Sequence, residues 1–459
     1  MGTILTPGPT YAEMRDPSML PSALRQQALE TASSDPLHRL NLFNITWRNR
    51  ENRVRHVVLP RELTGVAANI VVLLGRDFPS GSHKVGPAYV TLIEGELAGE
   101  IHAGENTIIG PSTGNFGIGT AYISRLMGYR CVVIMPEQMS AERYERIRRY
   151  GGELDLTPGS ESDVILVLER AHEHYKPDPK NKVLAQFELL PNYRFHRCVT
   201  GGAAIEVARG VGNGRVAAFV CAPGSAGTLG AGDEIKTRYN ECVVCAVEPK
   251  ECSTLYDNGR GTHRIEGIGD KMVPLIHNVL TTDYVALVHD DDCVAGLKVL
   301  EHGRRVLERA LKLADGALEP LGGWFGISGV CNILGAIKMA KLLGLGPVHN
   351  VVTVATDGFD RYPSVMEDLE RRRGPITDAM LVEWYEAIFR RTGPDAVLDV
   401  RPGIEKERLF RQKADVWTKF GYPMRYLDTM RSQAFWDDEY ARIREIDSAL
   451  LKDRNLGAL

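Results

Sequence analysis

The feature that most constrains this chain is the alternation of short apolar segments with longer amphipathic ones. NTIIG (106–110), RCVVIM (130–135), ELDLT (153–157) and KVLAQF (182–187) have the composition of β-strands. Between them lie the helical patterns AYISRLMG, MSAERYERIRRYGG and SDVILVLERAHEHY. Strands that alternate with helices in this way form a parallel sheet covered by helices. The sequence therefore predicts an α/β protein with three α/β/α layers.

A second series of the same kind surrounds the first. Its strand-like segments are rich in Val and Ala, and helical patterns such as SGVCNILGAIKMAKLLG accompany them. The strand-like segments are VRHVVLP (54–60), NIVVLLG (69–75), RVAAFVCAP (215–223), CVVCAVEP (242–249) and HNVVTVAT (349–356).

These two series predict a protein of two α/β domains with an extension at each end. The smaller domain is expected at 88–200, and the larger one is expected to combine 56–87 with 201–370. Residues 1–55 are polar and irregular, which predicts an N-terminal arm. Residues 371–459 are charged, with helical patterns and scattered aromatics, which predicts a helical C-terminal extension.

The overall composition narrows the class of partner. A net charge of −4 over 459 residues, with no basic stripe, argues against nucleic acid. Apolar runs are far shorter than the roughly 20 residues that cross a bilayer, so no membrane segment is expected. The N-terminus lacks a signal pattern, and the eight cysteines lie mostly in apolar runs, as reduced core thiols do. We therefore expect a cytoplasmic protein without a bound metal.

One lysine lies where its amine can become a nucleophile. Lys84, in SGSHKVGPA, falls at the start of a helical pattern. The positive end of the helix dipole is unfavourable to a charged amine there, and burial lowers the pKa of a lysine as well. A neutral amine can form a Schiff base with an aldehyde. The alternative is an ordinary lysine on the surface.

Two loops after predicted strands are rich in small and hydroxyl residues. Residues 112–116 (STGNF) precede one helical pattern, and residues 224–228 (GSAGT) precede another. Backbone N–H groups and hydroxyls at a helix N-terminus bind carboxylate or phosphate. A capped strand-to-helix turn is the alternative for the first loop.

The second loop also permits a dinucleotide-binding interpretation. Glu248 ends the next predicted strand, 21 residues after Gly227, as the acid of a nicotinamide site would. The glycine spacing is G-x-x-G-x-x-G rather than G-x-G-x-x-G, and Thr228 would crowd a pyrophosphate. A nicotinamide-dependent oxidoreductase therefore stays an alternative.

Taken in order, these segments resemble the tryptophan synthase β/cysteine synthase family, which are pyridoxal-phosphate (PLP) enzymes of fold type II. SGSHKVGPA resembles the segment with the Schiff-base lysine, PSTGNFGIG the substrate-carboxylate loop, and GSAGTLG the phosphate-binding turn. Three further segments are similar to motifs of the family: QFELLPNYRFHRCVTGG, IEGIGDKMVP (265–274) and WFGISGVCNILGAIKMA. Of these, residues 265–274 resemble the family's mobile Gly-Ile-Gly-x-Gly-Phe-x-Pro segment. The resemblance covers roughly residues 60–370.

The resemblance implies a cofactor, PLP, and a role for each matching residue. It makes 56–87 and 201–370 the PLP-binding domain and Lys84 the catalytic lysine. By the same resemblance, Ser112, Thr113 and Gly114 bind the substrate carboxylate, and Gln186 also faces the substrate. Asn115 bonds the ring hydroxyl of the cofactor. The phosphate of the cofactor is bound by Gly224, Ser225, Ala226, Gly227 and Thr228.

The chain departs from the family at two positions near the cofactor. The position that usually supplies a Ser or Thr to the pyridine nitrogen is Gly358 here. The alternatives for the partner of that nitrogen are therefore Thr356, Asp357 or neither. Phe116 replaces the usual Thr or His.

The resemblance implies β-elimination or β-replacement on a cysteine- or serine-type amino acid, by a cysteine synthase-like or cysteine desulfhydrase-like homodimer. The alternatives are threonine dehydratase or threonine synthase chemistry, and a non-catalytic protein that keeps only the fold.

Overall fold

The computed structural model describes residues 8–456. Residues 1–7 of the predicted arm and 457–459 of the predicted extension lie outside the described part. In residues 8–456 no helix combines the length and the apolar character that a membrane-crossing helix needs.

The strands form two sheets, one of seven strands and one of four. In chain order they are β1 (His56–Val58), β2 (Asn69–Leu74), β3 (Thr107–Pro111), β4 (Arg130–Pro136), β5 (Glu153–Thr157), β6 (Asn181–Val183), β7 (Val216–Cys221), β8 (Val243–Pro249), β9 (Tyr284–Val288), β10 (Asn350–Ala355) and β11 (Val397–Asp399).

The larger sheet has the order β1-β2-β10-β7-β8-β9-β11. Its inner strands are parallel, and the two edge strands β1 and β11 pair antiparallel. Every residue of β2 and of β10 is buried, as expected for strands with helices on both faces of the sheet. The smaller sheet has the order β5-β4-β3-β6, and all its strands are parallel.

Helices connect and cover the strands. Short 3₁₀ and π-helical turns are interspersed, including the 3₁₀ turn Gly227–Leu229 and the π-helical turn His196–Thr200. The α-helices are α1 (Tyr11–Arg15), α2 (Ser22–Ser34), α3 (Arg61–Thr64), α4 (Val85–Leu97), α5 (Asn115–Met127), α6 (Ala141–Arg149), α7 (Val164–Arg170), α8 (Pro191–Phe195), α9 (Gly201–Arg209), α10 (Gly230–Arg238), α11 (Thr254–Asp257), α12 (Asp290–His302), α13 (Arg304–Leu311), α14 (Ile327–Leu342), α15 (Pro363–Arg373), α16 (Asp378–Tyr385), α17 (Gly403–Trp417), α18 (Met424–Thr429), α19 (Gln433–Ala441) and α20 (Ile443–Leu456).

The strand order brings together the loops that the sequence singles out. In the larger sheet β10 lies between β2 and β7, so the loops that follow these three parallel strands share one edge. The loop after β2 leads to Lys84, and the loop after β7 is the turn 224–228. Ligands of open α/β sheets bind at the carboxyl ends of the strands.

The predicted α/β/α architecture and the helical C-terminal segment are confirmed. The structure adds two strands that the sequence analysis missed, β9 and β11, and β11 lies within the segment predicted to be helical. The predicted strand at 182–187 is shorter than expected, because only Asn181–Val183 pairs with β3. The smaller sheet lies within 88–200, and six of the seven strands of the larger sheet lie within 56–87 and 201–370. The division into domains at these boundaries stays a prediction.

The N-terminal arm and the last helix are joined by part-buried hydrogen bonds and an ion pair. The backbone N–H of Tyr11 donates to Asp447 at 2.7 Å. Arg454 donates to both carboxylate oxygens of Glu13, at 2.7 and 2.8 Å. Glu13 also accepts from the N–H of Thr10, which closes a capping box at α1. The two ends of the described chain therefore form one packed unit.

Replacing Glu13 with Gln should lower the free energy of unfolding by about 1–3 kcal/mol at pH 7, because Arg454 then loses a charged partner. Burial raises the pKa of the Glu13 carboxyl, but hydrogen bonds from Arg454 and Thr10 outweigh burial, so the net shift is downward from 4.5. Such a group stabilises the fold above its unfolded pKa, and the contribution is lost as the pH falls through the folded value. In urea denaturation, the difference from wild type should therefore shrink below pH 4.5.

The matched control is Glu105→Gln, which changes an exposed glutamate. It should alter the free energy of unfolding by less than about 0.5 kcal/mol. Equal stability of the Glu13 variant and wild type at pH 7 would contradict the role given to the pair of Glu13 and Arg454.

Candidate active site

Lys84 lies directly before α4, and its amine is buried. The residue is 7% exposed, and its Nζ donates to the hydroxyl of Ser225 at 3.1 Å. Burial lowers the pKa of Lys84 to about 8, although the nearby acidic groups of Asp270, Cys221 and Glu161 oppose the shift. About a tenth of the amine is then neutral at pH 7, far more than for an exposed lysine. The sequence prediction of a buried lysine at a helix start agrees with this position.

The loop 112–116 joins β3 to α5 and presents the N-terminus of that helix to the same space. The hydroxyl oxygen of Ser112 accepts from the N–H groups of Gly114 and Gly117, at 3.0 and 2.9 Å. The proton of that hydroxyl remains available to a ligand. A Cβ at position 114 would lie 1.9 Å from Nη1 of the buried Arg143, which explains the glycine there. The hydroxyl of Thr113 donates to Glu161.

Asn115 begins α5 and links two further segments. Its Nδ2 donates to Asp357 at 2.6 Å, and its Oδ1 accepts from Nε of Arg361 at 2.7 Å. Arg361 in turn donates to the carbonyl oxygen of Ser80, at 2.7 Å. One amide hydrogen of Asn115 is therefore occupied, and its second one can reach a ligand.

The turn 224–228 connects β7 to α10 through the 3₁₀ turn Gly227–Leu229. Gly224 and Ala226 have positive φ angles of 43° and 66°, which fold the chain tightly. Ala226 donates its N–H to the Pro223 carbonyl at 2.5 Å. The N–H groups of Ser225, Gly227 and Thr228, by contrast, donate to no acceptor in residues 8–456. Three backbone donors at a helix start suit an anion.

Asn192 holds this turn in place. Its Nδ2 donates to the Ser225 hydroxyl at 2.9 Å and to the carbonyl oxygen of Gln186 at 2.8 Å. A Cβ at position 227 would lie 2.1 Å from the Oδ1 of Asn192, so only glycine fits there. The Ser225 oxygen accepts from both Lys84 and Asn192, and its own proton remains free to donate.

Most of the residues predicted from the sequence line one pocket. Ala226, Gly227 and Thr228 lie in the turn beside it rather than on its wall. The lining residues are Lys84, Ser112, Thr113, Gly114, Asn115, Phe116, Gln186, Phe187, Gly224, Ser225, Gly267, Asp270 and Thr356.

The structure separates the two candidates for the pyridine nitrogen and reduces the case for a nicotinamide site. Thr356 lines the pocket, whereas the carboxylate of Asp357 accepts from Asn115 and Tyr362.

Glu248, the acid of the nicotinamide alternative, is buried and accepts from the backbone N–H groups of Leu255 and Tyr256 at the start of α11. Its carboxylate is thus engaged in capping a helix.

Sequence reasoning missed Asp270 and Glu161. Both carboxyl groups are buried, and burial raises the pKa of Asp270 to about 7 and that of Glu161 well above its usual range. Asp270 lies between Gly269 and Lys271 in IEGIGDKMVP, the segment that resembles a family motif. An acid within that glycine-rich motif was the one sequence signal that could have marked Asp270 as a site residue. Glu161 has no local signature, because its importance comes from the contact with Thr113.

Comparison with known proteins agrees with this geometry. Residues 74–357 match the family profile described as pyridoxal-phosphate dependent enzyme. A cysteine synthase of Staphylococcus aureus is 33% identical over 304 residues, which are 65% of this chain and 88% of that protein. A probable cysteine synthase of Bacillus subtilis is 31% identical over 301 residues, 65% of this chain and 89% of that protein.

A solved structure is similar as well. The crystal structure of a hydrogen sulfide-producing enzyme from Fusobacterium nucleatum has a TM-score of 0.56 and 26% identity. The match covers 67% of this chain and 96% of that one.

A buried amine, a helix N-terminus and a turn in which three backbone N–H groups have no acceptor in residues 8–456 surround one pocket, which suits an enzyme that works through a bound aldehyde cofactor. The chain belongs to the family of pyridoxal-phosphate dependent enzymes. The residues present suit that cofactor: Lys84 has a partly neutral amine for its aldehyde, and the turn at 225–228 has backbone donors without a protein acceptor for its phosphate.

Replacing Gly227 with Ala should raise the Kd for PLP by about tenfold, because the added methyl group forces Asn192 away from Ser225 and costs roughly one hydrogen bond. Titration of the visible absorbance of the cofactor measures the change. Gly403→Ala is the matched control, since a Cβ at that helix start meets no atom within 4 Å. Unchanged PLP affinity of the Gly227 variant would mean that the turn does not hold the phosphate.

Proposed function

We propose that this protein catalyses β-elimination or β-replacement on a cysteine- or serine-type amino acid, with PLP as the cofactor. The observation that carries the proposal is the single pocket in which the amine of Lys84 meets the loop 112–115 and the turn at Gly224 and Ser225. The two cysteine synthase relatives and the hydrogen sulfide-producing structural neighbour support this substrate class.

Lys84 is the proposed base of the reaction. Bound PLP supplies an aldehyde that condenses with amines and a ring that accepts the electrons released from Cα of the substrate. The free amine of Lys84 takes the α-proton, and its pKa of about 8 is closer to neutral pH than that of an exposed lysine, which suits a general base. The Ser225 hydroxyl, 3.1 Å from Nζ, orients the amine.

The loop 112–115 is the proposed binding site of the substrate carboxylate. The N-terminus of the 13-residue helix α5 attracts an anion, and the hydroxyl of Ser112 has a proton to donate. Thr113, Gly114 and Gln186 line the same pocket. A carboxylate held there fixes the Cα–H bond of the substrate relative to Lys84.

The contacts to the cofactor are proposed for the remaining predicted residues. Residues 224–228 would bind the phosphate through backbone N–H groups and the Ser225 hydroxyl. The second amide hydrogen of Asn115 would bond the ring hydroxyl. Thr356, rather than Asp357, is the better placed side chain for the ring nitrogen, since it lines the pocket.

A homodimer in the cytoplasm completes the proposal. The resemblance to the family supports the homodimer. All eight cysteines are buried and unpaired, which suits a reducing compartment. Both statements are expectations that size measurement and cell fractionation would decide.

Borohydride reduction of the purified yellow protein should attach the cofactor to Lys84 alone. Two other lysines with lowered pKa values are internal controls, because desolvation lowers the pKa of Lys406 to about 8 and that of Lys413 to about 7. Neither of these lysines lines the pocket. Peptide mapping that found the label on Lys406 or Lys413 would contradict the assignment, as would a colourless protein that binds NAD.

Product analysis should separate the two reaction outcomes. Elimination from cysteine consumes one water and releases pyruvate, ammonia and sulfide, whereas replacement releases sulfide without ammonia. We expect the wild-type protein to release sulfide from cysteine and the Lys84→Ala variant to be at least about 1,000-fold slower, since its base is absent. Turnover of threonine to 2-oxobutyrate, with none of cysteine, would favour threonine dehydratase chemistry instead.

A further inference from the structure

One carboxyl group of the pocket has no role in the scheme above. Asp270 lines the same pocket as Lys84 and is 6% exposed. Its Oδ2 has no hydrogen-bond partner in residues 8–456, although the atom is buried. Among the described lining residues, Asp270 and Lys84 are the two whose side chains exchange a proton near neutral pH.

The segment around Asp270 is held rigidly on both sides. Glu266 pairs with the buried Arg143, and its Oε1 accepts from the N–H of Ser140 at 3.0 Å. On the other side Lys271 pairs with Asp163 at 2.6 Å. The carbonyl oxygen of Asp270 itself accepts from the hydroxyl of Thr254 at 2.9 Å. The backbone of Asp270 is therefore fixed, while its carboxyl group has no hydrogen-bond partner in residues 8–456.

The charged groups around Asp270 suit a group that gains and loses a proton. Burial raises the pKa of its carboxyl to about 7, and the Lys84 amine opposes the shift. Glu161 and Cys252 are the other titratable groups that interact with it electrostatically. Both the acid and the carboxylate form are thus populated near neutral pH.

Besides the removal of the proton from Cα, the proposed reaction requires a proton transfer at the substituent on Cβ. When the Cβ–S bond of a cysteine-type substrate breaks, the sulfur keeps the electron pair. The sulfur departs more easily when it receives a proton as the bond breaks, because a neutral thiol is a better leaving group than a thiolate. The electrons of the Cα–H bond, whose proton Lys84 takes, form the new bond between Cα and Cβ. An incoming nucleophile must later lose its own proton as it bonds to Cβ.

We propose that Asp270 is the general acid and base for the substituent on the β-carbon. The protonated carboxyl donates its proton to the departing sulfur, which leaves as a neutral thiol or as hydrogen sulfide. In β-replacement the resulting carboxylate takes the proton of the incoming thiol or water, and in β-elimination it regains a proton from solvent, so Asp270 ends either cycle as it began. This assignment rests on the proposed β-chemistry and adds to it the residue that serves the leaving group.

The test compares leaving groups that do and do not need a proton. With L-cysteine, Asp270→Asn holoenzyme should have a kcat reduced by about 100-fold or more, which is the range of general acid catalysis. With β-chloro-L-alanine, whose chloride leaves without protonation, the fall should be less than about threefold, because the acid is not required. Asp270→Glu, which keeps a carboxyl group, should recover part of the activity with cysteine.

A second measurement reports on Lys84 separately. Exchange of the Cα proton of L-alanine with solvent deuterium, followed by NMR, needs the base but no leaving group. It should be unchanged in the Asp270→Asn holoenzyme. A loss of this exchange equal to the loss with cysteine would overturn the proposal, because Asp270 would then act through Lys84.

Lys271→Met is the matched control in the same segment. It breaks the pair with Asp163 but does not change the pocket wall, so any displacement of the segment should lower the turnover of both substrates alike. The same uniform pattern in Asp270→Asn would overturn the proposal, as would full turnover of cysteine. Asp270→Ala provides the comparison if the Asn variant does not fold. If wild-type protein lacks the yellow cofactor band, the proposed function itself fails, which is a different outcome from any of these.

Discussion

The contact on which this site depends is the hydrogen bond between Nζ of Lys84 and the hydroxyl of Ser225. It joins residues 141 positions apart in the sequence, one at the start of α4 and the other in the turn after β7. An amine kept out of water loses part of its affinity for a proton, so the same burial that closes the core prepares the nucleophile. The fold and the reactivity of Lys84 therefore have one physical cause.

The surrounding contacts keep the two loops at a fixed separation. Asn192 connects the Ser225 hydroxyl to the backbone of Gln186, and Asn115 connects α5 to Asp357 and Arg361. These amides link loops of the smaller sheet to loops of the larger sheet. A site assembled in this way is rigid where the cofactor binds, and preorganised donors contribute most to catalysis when they do not have to move.

How much the sequence predicts depends on whether the signal is local. The strand periodicity and the glycine- and hydroxyl-rich loops after β3 and β7 are local, so the fold and the loops 112–116 and 224–228 could be predicted from them. Strand β11 has only three residues and lies in a charged segment with helical patterns, so no apolar run distinguishes it there. Asp270 and Glu161 could not be recognised as site residues from the sequence. What sets the chemical behaviour of each acid is its burial and its contact with residues that are distant in the chain. The pKa shifts of both have burial as their largest cause.

The N-terminal arm adds an aromatic contact near Lys84 from outside residues 74–357, the part of the chain that matches the family. Trp47 packs edge-on against His83, with ring centroids 5.4 Å apart, and its indole N–H donates to Thr200 at 3.0 Å. His83 precedes Lys84, and burial holds its pKa well below the usual value, with the Lys84 amine adding to the shift. The imidazole is therefore neutral beside the amine. Because an indole from the arm covers this side of the site, the environment of Lys84 is set partly by a segment outside the shared catalytic core.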